Sequence, residues 1–342
     1  MKTTQLARQT EPAATAGRAT MQAITQGRYG TAPEDVLRLE RIATPGIAAG
    51  EVLVWVRAAG VDRGTWHVMA GQPYLMRLLG FGFRGPKNRV PGMDVAGTVV
   101  AVGSAVTRFR AGDEVFGSAS GSFAEYAAAR EHKLARKPAR LSFEHAATVA
   151  VSGLAALQGL RAGRIHAGHK VLVIGASGGV GSYAVQLAKA FGAEVTGVCS
   201  TGKADLVRSI GADHVIEYTH DDFADGRAHY DLILDIGGNS RLSRLRRALT
   251  PTGTLVIAGG EGARWTGVGR QLRALALSPL VRQRLTMYIS RHRQADLVTL
   301  RRLIEEGQIT PVIDQTCPLA RAPQAVRHLQ AGDARGKIAI TI

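Results

Sequence analysis

VLVIGASGGVGSYAVQLAKAFGAEV, residues 171–195, is the stretch on which the fold turns. Residues 171–174 are an apolar run of strand length, and Val180, Tyr183, Ala184, Leu187, Ala188 and Phe191 repeat behind it at helical spacing. Between them stand Gly175, Gly178, Gly179 and Gly181. Glycine loses more conformational freedom on folding than any other residue, so such a cluster needs a cause. A tight strand-to-helix turn is one. A ligand is the other: a helix starting here aims free N–H groups and its positive dipole end at whatever lies over the turn, and a pyrophosphate suits that place. Ala176 takes the first position of the G-x-G-x-x-G fingerprint, followed by Gly178 and Gly181. Alone the match is weak. With a strand before it and another at 194–198 after the helix, it predicts a dinucleotide site.

The 342-residue chain suits about two domains, and 45% hydrophobic residues supply a sizeable core. No apolar run reaches the ~20 residues of a membrane span, and no signal-peptide core is visible. Residues 1–20 are polar and without periodicity, which predicts a disordered tail. Cys199 and Cys317 form no C-x-x-C pair, a usage that fits a reducing cytoplasm. The net charge of +16 is dispersed rather than gathered in a nucleic-acid module, so no nucleic-acid partner is expected. The basic residues of 264–302 alternate with apolar ones, as on a solvated helix face.

Residues 22–135 read mainly as strands punctuated by Pro and Gly, a β-rich unit. Residues 142–163 read as helix. Strands then alternate with helices: strands near 171–175, 194–198, 214–217, 231–235 and 254–258, helices near 180–191, 203–210 and 240–249. That order predicts a parallel sheet covered on both faces. Residues 267–307 read as helical and basic, and the tail ends in the strand GKIAITI.

PGMDVAGTVVAVG, then SGLAALQGL, then the glycine turn, then GKIAITI, in that order, resembles the medium-chain dehydrogenase/reductase superfamily, nearest its zinc-free NADPH:quinone reductase-like members. The resemblance implies a GroES-like catalytic domain at 21–145, re-entered at 310–342, with a Rossmann doubly wound parallel-sheet domain at 146–309. Where zinc-dependent members carry cysteine, a His-Glu pair and cysteine, this chain has Asp62, Met93-Asp94 and Val151. Catalytic zinc needs three side-chain ligands, and methionine and valine do not replace imidazole and thiolate. No metal is expected.

Ser177, Gly178, Gly179, Val180 and Gly181 would hold the pyrophosphate. About twenty residues past the turn, where NAD-binding folds carry an acid for the ribose, stands CSTGK, with none. Ser200 and Lys203 suit the 2′-phosphate of NADPH, although Ser200 or Thr201 could instead cap the next helix. The resemblance adds Tyr218 near the adenosine phosphate, Gly259 near the nicotinamide, and Arg335 and Lys337 in the closing segment. It also puts Ala155 where the family has a nicotinamide-contacting threonine.

For catalysis, Asp62 could relay a proton or position substrate, or merely cap a helix or pair with Arg63. Tyr74 is a possible proton donor. Trp66, Phe81 and Phe83 could wall an apolar pocket or be ordinary packing. The expected function is zinc-independent hydride transfer from NADPH to a quinone or α,β-unsaturated carbonyl by a cytoplasmic homodimer paired along strands near 254–258. The alternatives are an enoyl-thioester reductase, or an NADPH-binding protein with little turnover.

Overall fold

The computed structural model describes residues 19–258 and 269–342. The predicted tail falls almost wholly outside this range, and Gly259 lies outside it too.

Six strands form a parallel sheet in the order His214–Glu217, Glu194–Cys199, Lys170–Ile174, Tyr230–Asp235, Leu249–Ile257, Arg284–Met287. Numbered along the chain this is 3-2-1-4-5-6, the doubly wound dinucleotide-binding order. The strand cores are nearly continuous apolar runs because helices cover both faces. The helix Gly179–Ala190 buries Tyr183, Ala184, Leu187 and Ala188 against it. The helix Ala150–Ala162 is buried almost all round, and packs in the same core as Leu232, Leu234 and Leu300.

A second, mostly antiparallel sheet runs Ile313–Pro318, Lys337–Thr341, Glu51–Val61, Asp94–Val102, Glu114–Ser118, Leu134–Arg136, with Tyr126–Arg130 also on Glu51–Val61. The chain leaves this sheet after Arg136 and returns at Ile313. The return docks the two sheets: Gly336 N donates to Ser177 O at 2.8 Å, beside a bridge between Gly178 and Gly336.

Two expectations need correction. Residues 267–307 are not one helical run. Gly269–Leu277 and Gln294–Glu305 are helices, and Arg284–Met287 between them is a strand. Its residues are mostly half-buried and include an arginine, so no strand alternation shows in the sequence. Consequently 254–258 is not the sheet edge, because Arg284–Met287 covers it. Residues 142–163 are helical as expected, in two segments, Phe143–Ala146 and Ala150–Ala162.

Candidate active site

A cleft of about 1120 Å³ lies between the two sheets. Its floor is the C-terminal edge of the parallel sheet, where Ile174, Cys199 and Ile236 end or follow neighbouring strands. Between strands one and four the connections diverge to opposite faces, and this crevice is where doubly wound folds take ligands.

The glycine cluster now has its physical account. Gly175 has φ +87°, in the left-handed region. A Cβ on Gly181 would stand 2.0 Å from the Gly175 carbonyl, so the helix can start there only with glycine. Gly178 is the N-cap of Gly179–Ala190 and makes no side-chain cap, leaving the first N–H groups facing the cleft.

Ser177, Gly178, Gly179, Val180, Ser200, Lys203, Tyr218 and Lys337 all line the cleft. Gly181 packs beneath it, and Arg335 is exposed and outside its lining. Ser200 makes no side-chain cap bond, so the capping reading of that hydroxyl fails. Thr201 Oγ1 is held instead by Thr219 Oγ1 at 2.8 Å. Lys203 reaches across and donates to the carbonyls of Gly332 at 2.6 Å and Ala334 at 2.9 Å. Arg241 and Arg244, unforeseen from the sequence, also line the cleft. Arg244 pairs with Asp222 at 2.7 Å and lies over the Phe223 ring. Their signal was available: they follow the fourth parallel strand, which borders the crevice.

Asp62 lines the cleft and is buried. It is also the N-cap of the helix Arg63–Ala70, accepting Thr65 N at 2.9 Å. Tyr74 lies outside the cleft lining, its ring under the Arg77 guanidinium. The proposed aromatic wall is not there. Phe81 and Phe83 are exposed, and Trp66 packs against the cluster containing Ile24 and Leu319. Ala155 is outside the lining, and its carbonyl accepts the Tyr288 hydroxyl.

The feature missed in the sequence is a buried ion pair. Lys337 Nζ donates to Asp94 Oδ2 at 2.9 Å, with both residues at or below 2% exposure. Asp94 Oδ1 accepts Val151 N at 2.7 Å, satisfying an N–H in the first turn of Ala150–Ala162. Burial pushes the Asp94 carboxyl up to about 6; Lys337 opposes the rise and Asp62 adds to it. Asp62, Met93 and Val151 are the three positions that would have to supply zinc ligands, with Asp94 next to Met93 in the chain. The residues do not fit that metal: the Asp62 carboxylate caps a helix, Met93 offers a thioether in place of an imidazole, valine has no donor, and the neighbouring Asp94 carboxylate already faces an ammonium.

Two family models match: "Alcohol dehydrogenase GroES-like domain" over residues 48–139 and "Zinc-binding dehydrogenase" over 210–340. The 2-methylene-furan-3-one reductase of Solanum lycopersicum is 33% identical over 94% of this chain and 79% of its own length. The NADPH-dependent alkenal/one oxidoreductase, chloroplastic, of Arabidopsis thaliana is also 33% identical, over the same shares. The structure of the quinone oxidoreductase from Coxiella burnetii superposes with a TM-score of 0.83 at 26% identity, covering 95% of this chain and all of that one.

Proposed function

The chain belongs to the medium-chain dehydrogenase/reductase superfamily, in its zinc-free quinone reductase-like branch, and from that premise we propose that it transfers hydride from NADPH to a quinone or an α,β-unsaturated carbonyl. It is an oxidoreductase using a nicotinamide cofactor. The observation that carries the choice of acceptor is the residue set at the metal place: Asp62 caps a helix, Met93 and Val151 supply neither imidazole nor thiolate, and the Asp94 carboxylate beside them is taken by Lys337. Oxidising a simple alcohol is difficult in this superfamily's site without a metal to polarise the oxygen. A conjugated acceptor takes hydride at carbon, spreads the charge to its oxygen, and then needs only a proton.

Bound along the cleft, NADPH supplies the hydride. The N–H groups of 178–181 suit its pyrophosphate, and Ser200, Lys203, Tyr218 and Arg241 suit the 2′-phosphate side, with no acid at the end of Glu194–Cys199. Asp62 is the better placed of the two proton-relay candidates because it lines the cleft and Tyr74 does not. The edge strand Arg284–Met287 is the place for pairing with a second copy, since an uncovered edge is otherwise a liability.

Steady-state NADPH oxidation against quinones, enals, enoyl thioesters and, in reverse, simple alcohols tests the reading. Turnover confined to quinones and enones is expected. Preference for enoyl thioesters would move the assignment to that acceptor class, and alcohol oxidation with one zinc per chain would overturn it.

A further inference from the structure

Between Asp62 and Asp94 the chain has no acidic residue, yet it carries Arg63, Arg77, Arg84, Lys87 and Arg89. Within this span, residues 75–83 put large apolar side chains into solvent: Leu78 and Phe83 are 71% and 72% exposed, and Leu75 and Phe81 are exposed as well. Leu280 and Ile289 are as exposed elsewhere in the fold, but here four large apolar side chains share the nine positions 75–83, and such a cluster, unlike a single exposed residue, needs a reason.

The backbone beneath them is pinned. Tyr29 Oη donates to the Gly82 carbonyl at 2.7 Å, and Lys87 N donates to Phe81 O at 2.7 Å. Arg77 donates to Gly71 O at 2.9 Å and is sandwiched against the Tyr29 and Tyr74 rings. Gly82 has φ +111°, and a Cβ there would stand 2.1 Å from Gly85 O. The turn is therefore built to hold its shape with Leu78, Phe81 and Phe83 pointing away from the protein. Arg84 and Lys87, both exposed, follow directly and enter no ion pair among the described residues.

We propose that residues 75–87 form a docking surface for an anionic lipid bilayer, with Leu78 and Phe83 entering the acyl boundary and Arg84 and Lys87 meeting the headgroups. Apolar side chains flanked by cations, in a stretch of chain without an acidic residue, is the composition that binds such an interface. Charge decides between this occupant and a second copy of the chain. In a two-fold self-contact the patch would meet itself, bringing Arg84 and Lys87 against their own counterparts. An anionic surface takes both. No helix of the described residues is long and apolar enough to span a membrane, so the attachment is peripheral. The inference does not depend on the reading of the cleft.

Co-sedimentation of the full chain with phosphatidylserine–phosphatidylcholine vesicles and with phosphatidylcholine alone tests it. Binding roughly tenfold or more stronger to the anionic vesicles, weakened by salt, is expected. Leu78→Ser with Phe83→Ser removes the apolar part without changing charge, and should abolish binding while thermal unfolding and NADPH oxidation stay as in the parent. Arg84→Gln with Lys87→Gln should remove the preference for anionic lipid. No binding by the parent would overturn the proposal. So would binding that survives Leu78→Ser with Phe83→Ser, which would mean that the overall charge of +16 acts without the patch. A self-association that these two changes abolish, without vesicle binding, would make the patch a contact between copies and overturn it equally.

Discussion

Asp94 and Lys337 meet at 2.9 Å from strands that flank Glu51–Val61, and they can do so because Gly60 in that middle strand has no side chain. A Cβ on Gly60 would stand 3.0 Å from Asp94 Oδ2 and 2.4 Å from the Ala147 carbonyl. The pair thus joins the GroES-like sheet, the first turn of Ala150–Ala162 and the segment that docks on the glycine turn.

Lys337→Met leaves the Asp94 carboxylate buried without a cation. Breaking one partner of a buried pair typically costs ~3–5 kcal/mol. Adding Asp94→Asn removes the stranded charge and should restore much of the loss, which urea unfolding of the three variants would reveal. Additive losses would refute the coupling.

The pH dependence of the same pair has a definite sign. The folded pKa of Asp94, about 6, lies above the ordinary aspartate value, so the native state holds this proton more tightly than the unfolded chain. Its stabilising contribution is present in full below about pH 4 and is lost as pH rises through about 6. The urea midpoint of the parent relative to Asp94→Asn should therefore fall between those limits. Carbon-13 titration of the Asp94 carboxyl should show a midpoint near 6, and an ordinary midpoint would dismiss this account.

Asp62→Asn separates chemistry from capping, because asparagine caps helices about as well as aspartate. The Thr65 N bond should survive, and stability with it. If Asp62 relays the proton, kcat and kcat/KM fall together by ~10²–10⁴-fold with NADPH affinity unchanged. Asp62→Ala should in addition cost ~1 kcal/mol of stability. Full turnover in Asp62→Asn would leave Asp62 as a cap alone and make Tyr74→Phe the next assay.

Cofactor choice rests on the far end of the cleft. Lys203 spans from Thr201–Lys203 to the Gly332 and Ala334 carbonyls, so its charge is held in place at that rim. Losing a charge-assisted contact costs ~1.5–3 kcal/mol, so Lys203→Ala should weaken NADPH roughly tenfold or more while sparing NADH. Arg241→Ala should act in the same direction. Fluorescence titration with both cofactors decides it, and equal losses would show that Lys203 only closes the rim.

The sequence by itself determined the parallel sheet, the glycine turn and the zinc-free character, because each is written locally. Strand and helix periods differ, Gly175 and Gly181 sit where the backbone admits no Cβ, and Met93 and Val151 lack metal-binding chemistry. It missed Arg284–Met287, a mostly half-buried edge strand whose sheet partner among the described residues is reached through space. The exposure of Phe81 and Phe83 was equally hidden, since an aromatic residue reads alike whether it faces a pocket or water. Only tertiary structure decided the rest: that Asp62 both caps and lines, that Arg241 and Arg244 join the cleft, and that Lys337 finds Asp94 243 residues away. A buried charge must be compensated by whatever the fold brings within a few ångströms, and no local pattern of residues records that partner.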